Sequence, residues 1–111
     1  MDLQLDTRHA GAATVVAVRG EVDHFSAPQL RAELDSAVDA GAGTVVVDLS
    51  DTDFLDSSGL GALMALNKRL ASGAGSLVVV CPQPHLRKLF AISHLDEVLA
   101  VRDSLNAALA G

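Results

Sequence analysis

The sequence predicts an α/β domain: a mixed, mostly parallel sheet of four to five strands with four helices, in the order β-β-α-β-α-β-α-β-α. Three observations carry this. Val45-Val46-Val47 and Leu77-Val78-Val79-Val80 are apolar at consecutive positions, as in strands covered on both faces. Segments with helical apolar spacing alternate with these strands, which implies right-handed crossover units. Near the N-terminus two β-rich stretches are separated by His9-Ala10-Gly11, an antiparallel hairpin that makes the sheet mixed.

Each element has a local reason. Leu3 and Leu5 alternate with polar residues, residues 13–19 carry Thr14-Val15-Val16-Ala17-Val18, and Gly20-Glu21-Val22-Asp23 ends this second strand. Ser26-Ala27-Pro28-Gln29 reads as a helix start: Ser26 caps, Gln29 stands at the capping-box position, and Pro28 fits a first turn. Leu30, Leu34 and Val38 form its apolar stripe, and Gly41 and Gly43 end it. Residues 44–49 form the central strand, followed by an acidic loop over 50–55. A helix then runs from Ser57 to about Ala71, with Leu60, Leu63, Met64 and Leu70 on roughly one side, until Ser72-Gly73-Ala74-Gly75 breaks it. Residues 77–81 are a second central strand, stopped by Pro82. Pro84 opens a short helix with Leu86, Leu89 and Phe90 inward. Residues 98–101 are a brief strand, and Asp103 caps a last helix carrying Leu105 and Leu109.

The 111 residues suffice for one domain, 1–111, with a single core. Half are apolar and a fifth charged, ordinary for a globular chain; with no Trp or Tyr, the core must come from Val, Leu and Ala. No apolar run reaches the ~20 residues of a membrane span, and Met1-Asp2-Leu3-Gln4 shows no secretory signal. The single Cys81 rules out an intrachain disulfide and fits a reducing cytoplasm. A net charge of −6 argues against nucleic acid as a partner and is compatible with a basic protein.

The stretch with most chemical content is Asp56-Ser57-Ser58-Gly59-Leu60-Gly61, two hydroxyls where a coil enters a helix. It is not a hydrolase elbow, because Leu55 stands where G-x-S-x-G requires the first glycine before Ser57, and both glycines are missing around Ser58. No P-loop is present, and Gly59-Leu60-Gly61 continues to Met64 where a dinucleotide fingerprint needs Gly or Ala. Asp48, Asp51, Asp53 and Asp56 cluster after an apolar strand, where α/β folds place ligand sites. Asp51-Thr52-Asp53 is similar to the nucleophile loop of aspartate-based phosphotransferases, but Leu55 stands where that loop needs Thr or Val. A solvated acidic loop with Asp56 as helix cap explains the same residues. His9, His24, His85 and His94 fall on separate elements without metal-ligand spacing. Neither a metal nor a cofactor is expected. There remains a serine presented for modification. Gly59 and Gly61 admit two readings: close approach by another protein's backbone, or a fit against the chain's own sheet. Asp23 and His24 join the site if their strand end neighbours that of the acidic stretch.

Leu55-Asp56-Ser57-Ser58-Gly59-Leu60-Gly61 resembles the phosphorylation loop of the STAS-domain anti-sigma factor antagonists. Val18-Arg19-Gly20-Glu21-Val22-Asp23 is similar to that family's second strand and turn, and Val45-Val46-Val47-Asp48-Leu49-Ser50 to its central strand. Residues 98–104, after Phe90-Ala91-Ile92-Ser93-His94-Leu95, are similar to its C-terminal segment. The resemblance implies a STAS domain that is not an enzyme. Unphosphorylated, it binds an anti-sigma factor that is also an ATP-dependent serine kinase, and the sigma factor is released. Phosphorylation of the motif's first serine, Ser57, breaks the complex, and a metal-dependent serine phosphatase restores it. Asp23, Asp56, Ser57, Ser58, Gly59 and Gly61 are the implied partner-binding residues, with Asp56 orienting the hydroxyl or contacting the kinase. The nucleotide belongs to the kinase, so no cofactor is implied here, nor nucleic acid, nor membrane insertion. The alternative is a non-catalytic STAS adaptor, in a stress-sensing assembly or as the cytoplasmic subunit of a lipid or anion transporter, with no need for Ser57 to be modified.

Overall fold

A computed structural model of the chain describes residues 3–110. Strand β1 (Gln4–Ala10) pairs antiparallel with β2 (Ala13–Val22) through the two-residue turn Gly11-Ala12. Gly11 there takes φ +63°, a region where a side chain would be strained. Helix α1 (Ala27–Asp39) leads to β3 (Thr44–Leu55), α2 (Ser57–Ser72) to β4 (Ser76–Val80), and α3 (Pro84–Ile92), with a 3₁₀ turn (Leu95–Glu97), to β5 (Ala100–Arg102). Helix α4 (Leu105–Ala110) follows. The sheet order is β1-β2-β3-β4-β5, and all pairs after the first are parallel. The expected mixed sheet is therefore present, with five strands and four helices.

Each new parallel strand is added on the same side of the last, so crossovers of one hand put α1, α2 and α3 on one face of the sheet. The main core lies there: Leu30 and Leu34 of α1, Leu63, Leu66 and Leu70 of α2, and Leu86 and Phe90 of α3 meet Val16, Val18, Val47, Leu49 and Val79. Arg69 ties α2 to α1 through Asp39 and through Asp35 at 3.1 Å, and these carboxylates, Asp39 first, raise its already high pKa. The opposite face is covered only in part. There Ala108 of α4 sits over Val15, Val46 and Val80 in a small second core. Beyond α4 lies a polar cleft of about 490 Å³ lined by Asp6, Ala17, Arg19, Asp48 and Asp51. Residues 44–49 are thus covered on both faces only as far as Val46 and Val47.

Several local expectations are corrected. Residues 50–55 are not a loop: β3 runs unbroken to Leu55. Its register against β2 slips by one residue between Ala17/Arg19 and again between Gly20/Glu21, so β3 carries two extra residues. The bulges reset the inward period from two to three, and Leu49, Thr52 and Leu55 are all buried. The hydroxyl of Thr52 donates to the Val18 carbonyl at 2.8 Å. Ser26 precedes α1 without a side-chain cap bond, and the Gln29 amide reaches back to Leu3 O at 3.4 Å, so there is no capping box. On α2 the buried stripe is Gly59, Ala62, Leu63, Leu66 and Leu70, with Leu60 and Met64 half-buried beside it. The hydroxyl that caps α4 belongs to Ser104, which accepts from Ala107 N at 3.1 Å, while Asp103 pairs with Arg87 at 3.1 Å. Ala108, not Leu109, is the buried residue of α4.

Candidate functional site

Ser57 is the first residue of α2 and is exposed; Ser58 is half-buried. Asp56 is the N-cap in extended conformation, and its Oδ1 accepts from Ser58 N at 2.9 Å and from Gly59 N at 3.3 Å. The carboxylate therefore already occupies the positive end of the helix. A second anion at Ser57 would stand beside it and compete for the same donors. The two glycines separate. A Cβ on Gly59 would overlap Leu55 Cδ1 and stand 2.9 Å from Val22 Cγ1, so the missing side chain there serves the seat of α2 on its own sheet. A Cβ on Gly61 would meet nothing within 4 Å, and this exposed position leaves room for an outside surface.

The strand register gathers the remaining candidates. Val22 pairs with Leu55, Glu21 with Phe54, and Asp56 N donates to Val22 O at 3.1 Å. The turn after β2 consequently lies beside the start of α2, bringing Asp23 to the same end of the sheet as Ser57. Asp23 Oδ1 accepts from Phe25 N at 3.0 Å, Ser26 N at 2.9 Å and the Ser26 hydroxyl at 3.1 Å. The Ser26 N–H, chiefly, holds the Asp23 carboxyl below the usual carboxylate range; partial burial opposes it, and the Ser26 hydroxyl and Phe25 N–H add to it. His24 packs its ring edge-on against Phe25, centroids 5.4 Å apart.

Two residues outside the sequence-based selection build this end of the sheet. Pairing of β3 with β4 stops at Asp48/Val80, which strips the later β3 carbonyls of their ladder partners. The Gln83 amide replaces them: its Nε2 lies 2.6 Å from Leu49 O, 2.8 Å from Thr52 O and 3.1 Å from Ser50 O. His85 Nε2 lies 3.1 Å from Asp53 O. The start of α3 thus clamps the bulged strand that delivers Asp56 and Ser57. A glutamine between two prolines carries no periodic signal, so only the fold discloses this role.

Several groups of the other candidate chemistries make local contacts of their own. Asp51 pairs with Arg19 at 3.6 Å, Thr52 is buried, and Asp48 Oδ1 accepts from Ser50 N and its hydroxyl at 3.0 and 2.6 Å. Among the described residues no group of three His, Cys, Asp or Glu side chains is placed to hold a metal. Cys81 is buried and burial pushes its thiol pKa up, which leaves it a poor nucleophile. No helix among the described residues is long and apolar enough to cross a membrane.

Comparison with known proteins meets this geometry. The STAS domain family model matches residues 4–108. BtrV of Bordetella bronchiseptica is 36% identical over 86% of this chain and 83% of its own length. The crystal structure of an anti-sigma factor antagonist from Mycobacterium paratuberculosis superposes with a TM-score of 0.86 at 28% identity, covering 98% of this chain and 92% of that one. The Bacillus cell fate determinant SpoIIAA in its phosphorylated form superposes with a TM-score of 0.72 at 28% identity over 98% of this chain and 97% of its own. The anti-sigma factor antagonist SpoIIAA in its unphosphorylated form gives 0.73 at 26% identity, over 98% and 94%.

Proposed function

This chain belongs to the STAS domain family, and from that premise we propose that it is an anti-sigma factor antagonist switched by phosphorylation of Ser57. The unphosphorylated chain binds an anti-sigma factor with serine kinase activity in the cytoplasm and frees a sigma factor. A serine phosphatase removes the phosphoryl group from Ser57 and restores the binding-competent, unphosphorylated form. The observation that carries the reading is the exposed hydroxyl of Ser57 on the first turn of α2, beside a carboxylate already committed to that helix end. Relatives that share the fold over nearly their whole length support it, one of them known in both phosphorylated and unphosphorylated forms.

The physics is sufficient in size. Phosphoserine adds about −1.5 to −2 charges. One like-charge contact at ~4 Å and an effective dielectric of 20 costs ~4 kcal/mol, roughly a thousandfold in affinity. A basic partner would attract extra negative charge at long range, so the switch must act locally, through a carboxylate of the partner, a clash, or a phosphoryl oxygen left buried and unpaired in the interface. The chain itself needs no catalytic group, because the kinase supplies nucleotide and base and the phosphatase its metal.

Incubation of the purified chain with the anti-sigma factor kinases of its own organism and ATP, followed by intact-mass and peptide analysis, tests the reading. A single phosphoryl group on Ser57, abolished in Ser57→Ala, is expected. Modification confined to another residue, or none with any kinase, would overturn it.

A further inference from the structure

We propose that Phe25 is the apolar anchor of this site, received by an apolar pocket with a basic rim on the anti-sigma factor kinase. The inference rests on the reading of Ser57 given above and names what that partner must present. Phe25 is 87% exposed, the most exposed of the large apolar side chains outside the core. It is nevertheless not on a loose loop. Its N–H and that of Ser26 are both held by the Asp23 carboxylate, the single Ser26 hydroxyl proton is shared between Asp23 Oδ1 and Glu21 O at 3.1 and 2.9 Å, and the His24 ring packs against the phenyl ring at a steep angle. A ring presented on a closed turn loses little conformational freedom on docking, which is the condition for a strong aromatic contact.

Position and charge select the occupant. The bond from Asp56 N to Val22 O fixes the Phe25 turn beside the start of α2, so a surface that covers Ser57 also reaches the ring. Glu21, Asp53 and Asp56 surround this end of the sheet, and Arg19, the one Lys or Arg between residues 19 and 60 on the two strand ends and the turns that follow them, is paired with Asp51. An acidic rim around an apolar centre complements a basic rim around a pocket. The arrangement also supplies the local switch. A dry contact around Phe25 excludes water from its surroundings, and with the partner's basic rim already matched to the carboxylates of the unmodified chain, a phosphoryl group on Ser57 would be desolvated there, next to Asp56, in excess of the opposing charge.

The test is calorimetric titration of the full unphosphorylated chain into whichever purified kinase binds wild type, comparing Phe25→Ala, Phe25→Tyr and Ile92→Ala. Ile92 is 66% exposed at the far end of α3 and serves as a control for general stickiness. Phe25→Ala should weaken binding about 10- to 100-fold at an unchanged unfolding midpoint. Phe25→Tyr should stay within a few-fold and Ile92→Ala within twofold, and the wild-type affinity should fall as salt rises. A folded Phe25→Ala that binds within twofold of wild type overturns the anchor while leaving the Ser57 reading intact. Wild type that binds none of the kinases overturns both.

Discussion

Ser57 and its neighbours divide the labour at a single helix end. Asp56 satisfies two otherwise unpaired N–H groups, those of Ser58 and Gly59, so a phosphoryl group on Ser57 would meet a carboxylate already bound at this helix end. Gly59 and Gly61 look alike in the motif and differ in the fold, and the difference is testable. Gly59→Ala should cost about 1–3 kcal/mol in urea unfolding, because the new methyl drives into Leu55 and Val22. Gly61→Ala meets open space and gains helix propensity, so it should leave stability unchanged or raise it by up to about 1 kcal/mol. Its effect should fall instead on partner binding. Equal destabilisation by both would contradict the assignment. The motif marked the serine, but it did not distinguish the two glycines, because helical spacing alone does not tell which face of the first turn meets the sheet.

The elements that deliver the serine owe their geometry to a strand that does not look like one. Val45-Val46-Val47 and Leu77-Val78-Val79-Val80 were legible as strands because consecutive β-branched residues leave few alternatives. Residues 50–55 were not, because bulges change the inward spacing from two to three and place acidic residues on the outward positions. The stability of that segment depends on Gln83. Gln83→Ala should cost about 1–3 kcal/mol, by leaving the carbonyls of Leu49, Ser50 and Thr52 without their donor, and hydrogen exchange should rise in β3 after Asp48. Unchanged exchange there would remove Gln83 from this role. The turn after β2 makes a prediction of its own. A carboxyl whose pKa is lowered by folding stabilises the folded form fully above the ordinary aspartate value, and that stabilisation is lost as pH falls through the lowered folded value. Asp23 is such a group. The amide resonances of Phe25 and Ser26 should therefore titrate together with a midpoint below about 3.9, and a midpoint at or above it would show that the turn does not hold the charge.

For the molecule as a whole, the order of elements and the single main core followed from apolar patterning. What the pattern could not supply was which strand ends would be neighbours, and that juxtaposition brings Asp23, Phe25 and Ser57 to one end of the sheet, where the proposed site lies. The uneven covering of the sheet was equally invisible, because Val46 and Asp48 belong to one apolar-rich run yet lie under α4 and in an open cleft respectively. With a net charge of −6 spread over the chain, a phosphoryl group on Ser57 would change the overall field modestly and the local field at α2 greatly. The most direct measurement is therefore calorimetric titration of one purified anti-sigma factor kinase with the unmodified chain, the Ser57-phosphorylated chain, Ser57→Ala and Ser57→Asp. The unmodified chain and Ser57→Ala should bind alike, Ser57→Asp about tenfold or more weaker, and the phosphorylated chain on the order of a thousandfold weaker. Equal affinity of the unmodified and Ser57-phosphorylated chains would contradict the switch at its centre.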